Sequence, residues 1–356
     1  MTTRVSVNLR VPGTAPIPAL MRLIRSIEAA GFDGAGILDS QLISRDTFVT
    51  LGQAATHTSR LGLFPAVTNP FTRHASVLAS AIQTVEELAP GRVKFVMGTG
   101  YTSASTIGRK AATLGEMREC IRTVKTLLAG ESARFGETAG RLGYAGGRRI
   151  PVLMAASGPK AIELAGEIAD GALLLVGANR GIVTRALELL ERGAKRAGRK
   201  VEDLEVIWAV RTAALPTTAE ALRQARPTAV HWGVLRWGGY WLEPAGLRLP
   251  PLEVPDAVWK IYPDLSHAHD WEAAIAATSF VPDDVVAQLC EAMGLIGTPA
   301  DCAGRIGELT KLGVRSLYLM PLETFTPPER EIAAFRDTVF PRLAALGVRS
   351  CITTLS

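Results

Sequence analysis

Six short stretches of this 356-residue chain place small and hydrogen-bonding residues directly after apolar runs. They are Asp39-Ser40-Gln41, Thr68-Asn69, Gly98-Thr99-Gly100, Ala156-Ser157-Gly158, Gly177-Ala178-Asn179 and Arg211-Thr212. Together they are rich in Gly, Ser, Thr and Asn, and Asp39 is their one acid. Paired carboxylates of the glycosidase kind are missing, as are a G-x-S-x-G elbow and a clear metal-ligand set. A site with donors and small residues but no strong nucleophile suits an enzyme whose hard chemistry is carried by a cofactor. Ser157-Gly158 and Gly177-Ala178 each lie between a strand candidate and a helix candidate, where free backbone N–H groups would receive a phosphate. A Ser N-cap and a tight turn would produce the same residues.

Other constellations carry less. Gly98-x-Gly100 lacks the third glycine of a dinucleotide fingerprint. His267-Ala-His269, close to Asp264 and Asp270, has metal-ligating residue types but no helical i,i+4 spacing. A triad of Ser40, Asp39 and His57 or His74 has no nucleophile turn to support it. No metal site is expected.

The elements that must position these residues follow from hydrophobic pattern. Strand candidates are Val5–Leu9, Ala35–Leu38, Leu61–Thr68, Val93–Met97, Val152–Ala155, Ala172–Val176, Leu204–Ala213 and Ser316–Met320. Nearly all are followed by a run with helical spacing, which implies parallel strands with right-handed crossovers. Eight such units favour an α/β fold of the closed (β/α)8 TIM-barrel type, with the reactive residues at the carboxyl ends of the strands. The joint from helix to strand recurs at Ala29–Leu38, Glu167–Leu175 and Lys311–Met320. Residues 130–149 are Gly- and Arg-rich and read as a hairpin ending in Tyr144. From about 217 to 297 the rhythm breaks into a segment with Trp232, Trp237, Trp241 and Trp259, a Pro-rich stretch and a helix at Ala273–Ala277. It reads as a long insertion before the last strand of a single domain spanning 1–356, capping the site or forming an interface.

Composition bounds the rest. A hydrophobic content of 47% supplies a large core. The net charge of +5 comes from Lys and Arg intermixed with acids, so no nucleic-acid footprint is expected. Cys120, Cys290, Cys302 and Cys351 are scattered without a C-x-x-C pair, as in a reducing compartment. No apolar run approaches the roughly 18 residues of a membrane span, and the N-terminus has no signal-type core. The expectation is a soluble, cytoplasmic protein.

Four segments in order, GFDGAGILDSQLISRDTFVTL, AVTNPFTRH, ELAPGRVKFVMGTG and AASGPKAIELAGEIADGALL, resemble the luciferase-like flavin-dependent oxidoreductase superfamily. Within it the chain is most similar to the methylenetetrahydromethanopterin reductase-like branch, over Val5 to Arg211 and again over Gly297 to Met320. The resemblance implies a barrel that binds FMN or the deazaflavin coenzyme F420, and a non-prolyl cis peptide at Ala66–Val67 behind the ring. It implies that Thr68 and Asn69 hydrogen-bond the ring and that Gly98, Thr99 and Gly100 line it. Ser157, Gly158, Gly177 and Ala178 would approach the phosphate. Asp39, Gln41 and Arg45 would orient a small organic substrate or relay a proton. Deazaflavin-dependent members often read Asp-His after the second strand, whereas this chain reads Asp39-Ser40. The expected reaction is hydride transfer in a homodimer. The alternatives are an FMN-dependent monooxygenase fed by a flavin reductase, a cofactor-free barrel hydrolase, and a ligand-binding protein without turnover.

Overall fold

Apolar runs in this chain form short strands, and the amphipathic runs between them form helices. A computed structural model describes residues 4–349, which leaves Cys351 outside the described residues. The strands are β1 (Ser6–Val11), β2 (Gly34–Ile37), β3 (Gly62–Pro65), β4 (Phe95–Met97), β5 (Ala133–Phe135), β6 (Thr138–Gly140), β7 (Val152–Ala156), β8 (Gly171–Leu174), β9 (Glu205–Ala214), β10 (Gly294–Gly297) and β11 (Ser316–Pro321). All the strands expected from sequence are among them. The chain falls into two compact units, Asn8–Leu174 with Leu187–Ile207, and Met1–Val7 with Leu175–Ala186 and Trp208–Ser356.

In the unit that begins at Asn8, β1 pairs in parallel with β2 and β2 with β3, with Asn8 opposite Gly34 and Gly34 opposite Gly62. On the other side β4 pairs with β7 and β7 with β8, also in parallel. Parallel bridges Leu63–Val93 and Thr68–Met97 join β3 to β4. The strands are buried nearly throughout, as expected where helices cover a parallel sheet. The helix Ile17–Ala29 shows why: Leu20, Ile24 and Ile27 are fully buried along one stripe. Each such side chain contributes about 1.5–3 kcal/mol relative to exposure. The expected hairpin is the antiparallel pair β5–β6, and the Tyr144 hydroxyl beyond it pairs with Ser80 Oγ at 2.7 Å.

In the other unit β9 pairs in parallel with both β11 and β10. Here the structure departs from the expected irregular insertion. Thr218–Ala229 is the helix that follows β9, and Asp283–Met293 leads directly into β10. Pro227 inside the first helix, and the glycines at both ends of the short β10, disguise these elements in the sequence. The expected helix at Ala273–Ala277 is present as Trp271–Ala277. No helix among the described residues is long and apolar enough to cross a membrane.

The histidine-rich stretch of this unit packs internally. The Asp264 carboxylate accepts from His267 Nδ1 at 2.9 Å and from the Ser266 N–H at 2.8 Å, and His269 meets Tyr262 edge-on. Among the described residues no group of three His, Cys, Asp or Glu side chains is placed to hold a metal. His231 is buried, with Nδ1 at 3.8 Å from Asp264.

Burial lowers the His231 pKa from 6.5 to about 4. Asp264 lies at about 2: its own burial opposes ionisation, but the hydrogen bond and charge of His267 outweigh it. Acid therefore protonates the unfolded chain at both positions before it protonates the native fold. We predict that stability falls as pH drops from about 6.5 to about 2. His231→Gln should remove about 3 kcal/mol of that fall above pH 4 in denaturant titrations run across pH. An unchanged slope in the variant would contradict this assignment.

Candidate active site

Asp39, two residues beyond β2, is 4% exposed, and its charge is met by an arginine from the loop after β3. Arg73 Nη1 donates to Asp39 Oδ2 at 2.8 Å, and Nη2 donates to Asp46 Oδ2 at 2.6 Å. The guanidinium also lies over the Phe48 ring, 5.0 Å from its centroid. Asp46 caps the helix Thr47–His57, its Oδ1 accepting from the Phe48 and Val49 N–H groups. Burial opposes charge on both Arg73 and Asp46. Even so, the carboxylates raise the Arg73 pKa, and the Arg73 hydrogen bond with two backbone N–H donors lowers that of Asp46. Gln41 Nε2 donates to the remaining Asp39 oxygen, Oδ1, at 3.1 Å. Arg45 turns away from this group: it is exposed, and its guanidinium donates to the Thr14 carbonyl.

At the end of β3 the Ala66–Val67 peptide is cis. The chain stays tied to its neighbours there: the Ala66 N–H donates to Ile37 O at 2.7 Å, Thr68 N–H to Val96 O at 3.2 Å, and Gly98 N–H to Thr68 O at 2.9 Å. Thr68 is fully buried, and its hydroxyl has no partner in the fold. Asn69 holds its own loop in place. Its Oδ1 accepts from the Phe71 and Thr72 N–H groups, both at 3.0 Å, while Nδ2 donates to Ser103 Oγ. A Cβ on Gly98 would stand 2.8 Å from Val67 Cγ2, so this close approach requires glycine. The Thr99 carbonyl accepts from the Ala112 N–H, and Gly100 opens the short helix Tyr101–Ser105.

Ser157 is exposed, and Gly158 is the N-cap of the helix Pro159–Ile168, which has no side-chain cap. Space beyond Gly158 is open, since a Cβ there would meet nothing within 4 Å. In the other unit, the Ala178 N–H donates to Ala292 O at 2.9 Å, and a Cβ on Gly177 would come 2.6 Å from the same oxygen. Backbone packing explains that pair, and the Ala178 N–H is not available to a phosphate. Three cysteines, Cys120, Cys290 and Cys302, are buried and free, with thiols pushed up to about 12 by burial. None of them can serve as a thiolate nucleophile near neutral pH.

The structure thus gathers Asp39, Gln41, Thr68, Asn69, Gly98 and Gly100 on the loops that follow β2, β3 and β4. It adds Arg73, which the sequence reading missed. The only local signal was a single arginine five residues past the expected strand end at Thr68.

A family model described as luciferase-like monooxygenase matches residues 1–316. The chain belongs to that family. This luciferase-like chain is 28% identical over 316 residues to 5,10-methylenetetrahydromethanopterin reductase of Methanolobus tindarius, covering 85% of this chain and 90% of that one. It is 32% identical over 232 residues to the F420-dependent glucose-6-phosphate dehydrogenase of Beutenbergia cavernae, covering 58% and 66% of the two chains. Its fold matches that of coenzyme F420-dependent tetrahydromethanopterin reductase from Methanopyrus kandleri with a TM-score of 0.73 at 23% identity, over 95% of this chain and 99% of that one. The fold class is accordingly the α/β, (β/α)8 TIM-barrel class expected from the strand–helix alternation.

Removing Arg73 would leave Asp39 as a buried, uncompensated carboxylate. Arg73→Met should cost about 3–5 kcal/mol in a urea titration. Adding Asp39→Asn should restore much of that loss. Equal destabilisation by the single and double substitutions would show that the ion pair is not the source.

Proposed function

We propose that this oxidoreductase transfers a hydride between coenzyme F420 and a small organic substrate. The observation that carries the reading is the buried, unpartnered Thr68 hydroxyl at the end of β3, next to Gly98 at the end of β4. An orphaned hydroxyl inside a fold is costly, and a polar ring edge at this point would satisfy it. Gly98 and Gly100 let the Val67 and Asn69 side chains pack directly on the end of β4, which would hold the loop that lines the ring. The uncapped helix start after Gly158 offers backbone N–H groups to a phosphate. The names of the F420-dependent relatives support the deazaflavin in preference to FMN, which remains compatible with the family.

When bound, the deazaflavin would supply the hydride chemistry that no side chain here can perform. Thr68 would hydrogen-bond the ring, with Asn69 shaping its loop instead of binding it directly. Asp39 accepts from two donors, Arg73 and Gln41, so it is suited to orienting Gln41. Arg45 would fix the loop through Thr14.

Titration with F420, FMN and FAD, read by thermal unfolding, tests the assignment. F420 at about a hundredfold excess over its Kd should add about 2.7 kcal/mol of stability. Thr68→Val should weaken that effect by about tenfold in affinity without lowering the stability of the cofactor-free protein. Absence of any response to F420 and FMN would overturn the reading. A response to FMN together with oxygen consumption coupled to substrate loss would favour the monooxygenase alternative.

A further inference from the structure

The chain that leaves the end of β4 returns to its own starting point, where the Ala112 N–H donates to the Thr99 carbonyl at 2.8 Å. Between those two residues it forms a small body bonded to itself. The Ala104 N–H donates to Gly100 O at 2.7 Å across the five-residue helix Tyr101–Ser105. The far end is closed by a left-handed turn at Gly108, φ 71°. There the Arg109 N–H donates to Ala104 O at 2.9 Å, and the Gly108 N–H to Ser105 O at 3.1 Å. A helix this short does not hold by itself in water, so its place is fixed by what it rests on.

Two side-chain contacts join it to the loop after β3. Ser103 Oγ accepts from Asn69 Nδ2 at 3.0 Å, and the Arg109 guanidinium lies over the Phe71 ring, 5.4 Å from its centroid. Ser103 and Ala104 form its buried side. The rest faces water: Tyr101 is 55% and Ile107 40% exposed, and residues 107–111 are exposed throughout. A segment with one buried side, few contacts beyond itself and an exposed backbone opens at less cost than the whole fold.

We propose that residues 100–111 are a flap, hinged at the Thr99–Ala112 base, latched by Phe71 and Asn69, and closed by a ligand bound at the ends of β3 and β4. Opening breaks the Asn69–Ser103 hydrogen bond and lifts Arg109 off the Phe71 ring, while the self-bonded body moves as a unit. A ligand biases such a flap only through contacts that it makes with one state and not the other. Tyr101 and Ile107 supply them, since covering these exposed apolar side chains with a ligand surface favours closure. The identity of that ligand rests on the hydride-transfer reading, whereas the latch is a property of the two loops.

Trypsin reads the flap directly, because Arg109 and Lys110 are exposed cleavage sites within it. Cutting there needs the open form, so its rate follows the open population. F420 at about a hundredfold excess over its Kd should slow cutting at Arg109 and Lys110 by about a hundredfold. Cutting at the exposed Arg134 and Arg141, near the β5–β6 hairpin, should not change. Phe71→Leu keeps an apolar side chain but removes the ring face. In the cofactor-free protein it should speed cutting at Arg109 and Lys110 by about two- to fivefold. The midpoint of global unfolding and the rates at Arg134 and Arg141 should stay at their wild-type values. A wild-type flap rate in Phe71→Leu overturns the latch, and an unchanged flap rate in protein that a thermal shift shows to be F420-bound overturns the closure. Should neither F420 nor FMN shift thermal unfolding, the hydride-transfer reading falls and closure by the cofactor falls with it, while Phe71→Leu still decides the latch.

Discussion

One guanidinium holds the candidate site in register. Arg73 reaches from the loop after β3 to Asp39 after β2 and to Asp46 at the start of the next helix, joining three segments that the backbone alone would leave independent. Asp39 is nearly inaccessible to water, and a carboxylate there is tolerable only with its charge met and its oxygens hydrogen-bonded. Arg73 takes one oxygen and Gln41 the other, so the geometry of the Gln41 amide follows from the ion pair. The ordering runs from charge burial, to the fixed carboxylate, to the amide that it points.

A second constraint acts at the neighbouring strand ends. Between β3 and β4 the Val67 side chain packs so closely on Gly98 that a Cβ there would clash with it, and the Thr68 hydroxyl is left buried beside that contact without a protein partner. The two constraints are complementary. The ion pair satisfies every polar atom that it can, while the strand ends leave specific atoms unsatisfied. Native folds rarely leave buried polar atoms unpaired, and a bound ligand is one way in which such an atom is completed. Among the described residues the free thiols are buried and their pKa values raised, so none of them is a thiolate near neutral pH.

Much of this was legible in the residues. Six of the parallel strands announced themselves as apolar runs ending in small or polar residues, because strands buried on both faces must be apolar until they reach the rim, whereas β10, with glycine at both ends, did not. Thr68, Gly98 and Asp39 were legible for the same reason. The Asp39–Arg73 pair was not, since the two residues lie 34 positions apart and no local periodicity connects them. Asn69 looked like a ligand-binding amide because its residue type suits both tasks; only the coordinates show its oxygen committed to the Phe71 and Thr72 N–H groups. The Ala178 N–H is likewise engaged, by a carbonyl more than a hundred residues away in sequence. The helix Thr218–Ala229 was hidden by Pro227, whose cost a packed helix end can absorb although a local pattern cannot show it.

The central claim is that a deazaflavin ring rests at the ends of β3 and β4 with Thr68 as its hydrogen-bond partner. A crystal structure of the protein grown with F420 tests it most directly. The account predicts ring density against Val67 and Gly98, with Thr68 Oγ1 within about 3 Å of a polar ring atom. Ring density at any other place in the chain, or a ring that leaves the Thr68 hydroxyl still unpaired, would contradict it.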